Sequence, residues 1–209
     1  MARIGLLGGS FNPAHAAHRH ISLTAMRQLR LDAVWWLVSP LNPLKSPESM
    51  AALGDRVARA RLQARHPRIC VTALEAVLGT RFAVDTVIAL KRRYPQHRFV
   101  WLAGDDIVAE LHRWRRWRRF LREVPLAVAP RPGVSLMGAP ALSWAGWSPT
   151  PASRWTDAPL PAIIRLHAGL RPESATQVRR TDPDWAKNMP SSNKTNTATN
   201  MASNMRMHD

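Results

Sequence analysis

Residues 3 to 18 read Arg3-Ile4-Gly5-Leu6-Leu7-Gly8-Gly9-Ser10-Phe11-Asn12-Pro13-Ala14-His15-Ala16-Ala17-His18. Arg3 to Leu7 is a short apolar run, which predicts a buried strand. Gly8 to Pro13 is turn chemistry. From about His15 to Arg30, the residues His18, Ile21, Ala25 and Leu29 recur at helical spacing. A strand therefore turns through two glycines directly into a helix.

The same alternation continues outward. Ala33 to Ser39 (AVWWLVS) is apolar on both faces, as a central parallel strand should be. Asp55 to Ala64 reads as a helix, Ile69 to Thr72 as a strand, Asp85 to Arg93 as a helix and Arg98 to Ala103 as a strand. Helical pattern returns over Ile107 to Leu111 and Arg113 to Arg122. Leu126 to Ala129 and Ile163 to Leu166 complete the expected strands. Strands alternating with helices predict an α/β fold: a Rossmann-like doubly wound parallel sheet with helices on both faces. Its sites belong at the carboxyl ends of the strands.

Two stretches break the rhythm. Residues 130–161 are rich in Pro, Ser, Gly and Trp, and predict a long irregular insert. Residues 188–209 are a low-complexity mixture of Asn, Ser, Thr and Met, with too little apolar surface to offset ordering entropy. The expected organisation is one domain over 1–187 and a disordered tail over 188–209.

Composition narrows the class. The 209 residues are 45% hydrophobic and 21% charged, which excludes wholesale disorder. No run approaches the roughly 18–20 apolar residues of a membrane span, and the opening apolar run is too short for a signal peptide. Cys70 is the single cysteine, so an intrachain disulfide is excluded and a cysteine-based metal site is disfavoured. A cytoplasmic location is the expectation. The formal charge of +16 suits a polyanionic ligand or a basic surface bias equally.

The segment from Gly8 to His18 carries the chemistry. Glycines admit backbone N–H groups close to an anion, and a helix N-terminus adds favourable partial charge. His15 and His18, three apart, share one face of the first helical turn. Two imidazoles there can donate to phosphate oxygens and stabilise charge on a transferring phosphoryl group.

This segment resembles the nucleotidyltransferases whose signature is H-x-G-H, and within them bacterial nicotinate-nucleotide adenylyltransferases. Their Gly-Gly-(Ser/Thr)-Phe-(Asp/Asn)-Pro-x-His-x-Gly-His matches positions 8–18, except that Ala17 stands where the family has Gly. The resemblance implies ATP binding by Gly8, Gly9, Ser10, Phe11, His15 and His18, with Asn12 on the pyridine nucleotide. Ser39 to Lys45 is similar to the family's loop after the second strand. This implies that Lys45 meets phosphate, as a catalytic and substrate-binding group. Gly79 to Thr86 resembles a segment that encloses the pyridine nucleotide, which implies a role for Thr86. Ala83 replaces a Thr common there, and Asp85 and Thr86 are also good helix-start residues.

Gly104-Asp105-Asp106 resembles the family's Gly-x-Asp, implying that Gly104 and Asp106 meet the nucleotide near its ribose; a helix N-cap is the other reading. His112 to Trp117 resembles the segment whose aromatic residue stacks on nicotinate. Trp114 is the candidate, although Trp114 and Trp117 are also spaced to share a helical face in the core. The arginines of residues 113–122 read as a solvated face. Glu173 to Arg179 resembles a C-terminal motif holding the outer ATP phosphates, through Ser174, Thr176 and Arg179. Ala175 there lacks a hydroxyl that the family has.

The resemblance implies adenylyl transfer from ATP to nicotinate mononucleotide, giving nicotinate adenine dinucleotide and pyrophosphate with Mg²⁺. No protein-held metal and no membrane partner are expected, and a nucleic-acid partner is disfavoured. Two alternatives stay open: a related enzyme with nicotinamide mononucleotide or phosphopantetheine as acceptor, or a non-catalytic basic relative that binds nucleotide or nucleic acid.

Overall fold

The computed structural model describes residues 1–40, 50–136, 139–146, 149–169 and 173–186. Lys45, with most of its loop, and the whole of 188–209 lie outside these residues. In chain order the elements are β1 (Arg3–Gly9), α1 (Ala16–Gln28), β2 (Ala33–Val38), α2 (Leu53–Ala64), β3 (Ile69–Thr72), α3 (Leu74–Leu78) and α4 (Ala83–Arg93). There follow β4 (Arg98–Gly104), α5 (Asp105–Glu110), α6 (Trp117–Glu123), β5 (Leu126–Ala129), α7 (Pro140–Ala145), β6 (Ile163–Arg165) and α8 (Ala175–Thr181).

The strands form one parallel sheet in the order β3-β2-β1-β4-β5-β6. Their side chains alternate between two apolar layers, which is why the strands read as apolar throughout. Leu7, Val34, Trp36 and Val100 pack with Ile21, Ala25 and Met26 of α1 and Val57 and Ala60 of α2. Ile4, Leu6, Trp35, Leu37 and Trp101 pack with Val84, Val87 and Leu90 of α4 and Phe120 and Leu121 of α6. This is the expected doubly wound fold. Among the described residues no helix is long and apolar enough to cross a membrane.

Strand order reverses between β1 and β4, which pair from Arg3 with Arg98 to Leu6 with Trp101. Neighbouring connections leave in opposite directions at that point and open a crevice above the strand ends. The β1 end carries Gly8 and Gly9, and the β4 end carries Gly104.

Three expectations need correction. The helix read over Arg113 to Arg122 begins only at Trp117, because Arg116 takes a left-handed conformation (φ 51°). A 3-10 turn over Leu111–Arg113 precedes it. Trp114 and Trp117 therefore do not share a helix. Second, α3 was not foreseen; its run of apolar residues is too short to show a period. Third, the insert is anchored rather than wholly irregular: it contains α7, and Trp155, 3% exposed, donates its indole N–H to Leu29 O at 3.0 Å.

Candidate active site

The β1-to-α1 turn is held from below. A Cβ on Gly8 would lie 2.5 Å from Cζ2 of the Trp101 indole, so a side chain here is excluded by the sheet itself. Phe11 follows in a left-handed conformation (φ 47°), uncommon for a bulky residue and costly unless its surroundings fix it. Its ring stacks on Trp36 at 5.2 Å and tilts against His18 at 4.7 Å. Phe11 is thus a buried brace for His18 as well as a wall of the cleft. Trp36 in turn donates to Ser22 Oγ at 2.8 Å, tying β2 to α1.

His15 is the N-cap of α1, and its ring lies 3.9 Å from that of His18, centroid to centroid. The His15 main-chain N–H donates to His18 Nδ1 at 3.2 Å. That bond makes Nδ1 an acceptor, so a neutral His18 carries its proton on Nε2. Burial, and next the Arg131 cation, hold the His15 pKa down at about 4, while Glu173 acts the other way. His15 is therefore neutral at pH 7. Its Nδ1 is buried with no hydrogen-bond partner among the described residues, an arrangement that costs energy until a ligand supplies one.

A cleft of about 640 Å³ opens over this turn. Gly8, Gly9, Ser10, Phe11, Asn12, His15 and His18 line it from one side. Gly104, Asp106 and Trp114 line it from the β4 side, and Ser174, Thr176 and Arg179 from the C-terminal segment. The departures Ala17, Ala83 and Ala175 also face it. Residues far apart in sequence are thus gathered at the topological switch point, where an α/β sheet places its ligands.

Details differ from the sequence reading. Thr86 does not line the cleft: it is fully buried, and its Oγ1 donates to Glu75 Oε1 at 3.1 Å. The cleft instead meets Glu75 itself, whose pKa burial pushes up while bonds from Thr86 and Ser39 pull it down. Ser174 caps α8, accepting from Gln177 N at 3.2 Å. Arg179 joins the C-terminal helix to the histidine loop, with Nη1 donating to Asn12 O at 2.5 Å and Nη2 to Thr176 Oγ1 at 3.1 Å. Trp114 packs edge-on to Trp101 at 6.1 Å and remains half-buried in the cleft wall.

The pair Asp105-Asp106 divides its work. Asp105 is buried and accepts from both terminal nitrogens, Nη1 and Nη2, of Arg165, while Asp106 is exposed to the cleft and lies 3.6 Å from Arg131 Nε. A Cβ on Gly104 would meet the side chains of Asp106 and Arg131, which would have to shift to admit it. Arg131 was not identified from sequence. It lines the cleft, donates from Nη1 to Glu173 O at 3.2 Å and sits in range to affect His15. Only the return of β5 to the sheet brings it there.

The arginines around α6 are a solvated face only in part. Arg113, Arg115, Arg118 and Arg119 are exposed and Arg116 pairs with Asp85, but Arg113 and Arg115 also line the cleft, and Arg118 lies over the Trp117 ring.

Residues 6–181 match the cytidylyltransferase-like family. The chain is 50% identical over 191 residues to a probable nicotinate-nucleotide adenylyltransferase of Erythrobacter litoralis, covering 88% of this chain and 86% of that protein. It is 48% identical over 182 residues to another so named from Parvibaculum lavamentivorans, covering 85% and 90%. In fold it is similar to the Plasmodium falciparum nicotinic acid mononucleotide adenylyltransferase complexed with NaAD, with a TM-score of 0.66, 15% identity and coverage of 86% and 83%. The structural likeness is one of fold, and the sequence likeness is one of family. The family model spans residues 6–181 and the relatives match over most of their length: this chain belongs to the cytidylyltransferase-like nucleotidyltransferases, among the nicotinate-nucleotide adenylyltransferases.

Proposed function

We propose that the cleft joins ATP to nicotinate mononucleotide. A phosphate oxygen of the mononucleotide attacks the α-phosphorus of ATP, the bond from that phosphorus to the bridging oxygen breaks, and pyrophosphate leaves with nicotinate adenine dinucleotide as product. ATP enters as its Mg²⁺ complex, the ion carried mainly on triphosphate oxygens and water. No protein nucleophile is needed, and alignment plus charge stabilisation supply the catalysis.

The observation that carries this reading is the histidine pair. His18 Nε2–H and the His15 ring, whose Nδ1 has no hydrogen-bond partner among the described residues, stand together at the start of α1, beside the glycines of the β1 turn. The neutral His15 imidazole approaches phosphate oxygens without first repelling Arg131. Asp106 and Gly104 suit the ATP ribose, Trp114 offers a flat surface to the pyridine, and Ser174, Thr176 and Arg179 face the outer phosphates. Lys45 is assigned to phosphate on the sequence resemblance.

The test is pyrophosphate release by purified protein with ATP, Mg²⁺ and one acceptor at a time. Nicotinate mononucleotide should exceed nicotinamide mononucleotide and phosphopantetheine in kcat/KM. A preference for either of the others would reassign the acceptor, and no release with any would remove the catalytic reading.

A further inference from the structure

Arg56, in the first turns of α2, is 1% exposed and is absent from the cleft wall. Its Nε donates to Ala51 O at 2.9 Å. Its Nη1 donates to Ser10 O and to Ser39 O, each at 2.7 Å, and its Nη2 to Pro40 O at 3.0 Å. Every acceptor is a main-chain carbonyl, and no carboxylate joins them among the described residues.

A buried cation is costly unless its donors are met, and here a flat fork meets four carbonyls at once. Those carbonyls belong to three stretches of chain that lie just outside the regular elements. Ser10 is in the histidine loop, Ser39 and Pro40 leave β2, and Ala51 comes just before α2. Two further bonds connect the same stretches: Ser39 N donates to Gly9 O at 2.9 Å, and Ala51 N donates to Asn12 Oδ1 at 3.1 Å. Among the described residues Arg56 is the hub of this set, the group that reaches all three.

We propose that Arg56 is a positioning residue for adenylyl transfer, its guanidinium fixing the histidine loop against both ends of the segment between Pro40 and Ala51. The inference rests on reading the cleft as an adenylyl-transfer site. Lysine cannot replace the arginine, because three donors on one nitrogen do not span acceptors arrayed around a planar fork. Misalignment of reacting groups by about 1 Å is enough to slow such a reaction strongly.

The experiment compares wild type with Arg56→Lys and Arg56→Ala in pyrophosphate release, alongside melting temperature and circular dichroism. Arg56→Lys should remain folded and lose roughly tenfold or more in kcat at saturation with both substrates. Millimolar guanidinium should restore part of the lost kcat to Arg56→Ala and leave wild type unchanged. Wild-type kcat and KM in Arg56→Lys, or a loss that only tracks the fraction unfolded, would overturn the proposal. If wild type itself releases no pyrophosphate, the functional reading fails separately. Calorimetric ATP affinity then decides: about tenfold weaker binding by folded Arg56→Lys supports positioning, and equal affinity refutes it.

Discussion

His18 touches Phe11 and Trp36 by its ring and the His15 main chain by Nδ1, so its free energy is divided between packing and chemistry. In the proposed mechanism the chemical share acts only on charge that develops as pyrophosphate departs. His18→Ala should therefore lower kcat by about 10²–10³, as loss of a transition-state donor does. The melting temperature should shift little; near-normal kcat would take His18 out of the mechanism. Ala17 is a second case, a methyl on the cleft face of α1 where relatives have glycine. Ala17→Gly should lower the KM for ATP and cost about 0.5–1 kcal/mol of stability, since glycine is the poorer helix residue. Initial rates against ATP at saturating acceptor check this, and an unchanged or higher KM would show that the backbone has adapted to the methyl. Both histidines were legible in the sequence because their spacing alone fixes their common face. Arg131, Glu75 and Arg56 were not, since each reaches its place through partners distant in the chain.

Elements were legible where the strand or helix is long and its pattern unbroken. All six strands could be read from their apolar runs, because a sheet buried on both faces leaves no polar side to blur them. The failures lie at joins. Nothing in Arg113 to Trp117 announces the left-handed Arg116 that delays α6, as arginine is an ordinary helix former. The insert misled for a different reason: its order comes from docking, not from local periodicity. Trp155 fills a site beside Leu29 at the end of α1, and its N–H meets a carbonyl the helix leaves open. Trp155→Ala should destabilise the protein by about 3 kcal/mol or more, the usual cost of emptying a large buried aromatic site. Since Trp155 is not in the cleft wall, the folded variant should keep its KM values. Denaturant unfolding read beside steady-state kinetics separates the two effects; an unchanged midpoint would mean that the insert is not anchored there.

For the molecule as a whole, two buried groups make stability depend on pH with opposite signs. His15 has its pKa lowered from 6.5 to about 4, so folding favours its neutral form. Its contribution is complete above pH 6.5 and is lost as the pH falls through about 4, up to about 3 kcal/mol. Glu75 has its pKa raised, so its protonation favours the folded state, and that contribution fades as pH rises. The acid side of the curve is their sum. Melting temperatures between pH 7 and 4 should fall less steeply in His15→Gln than in wild type, and more steeply in Glu75→Gln. Parallel curves for wild type and His15→Gln would show that the imidazole titrates normally. One bond also ties the start of the chain to its far part: Arg179 reaches Asn12 across 167 positions. During synthesis the ribosome releases the histidine turn first and this arginine more than a hundred and fifty residues later. A nascent chain can lay down β1 to β5 while its cleft still lacks the side that Ser174, Thr176 and Arg179 supply, so the cleft is completed only after the C-terminal segment has emerged.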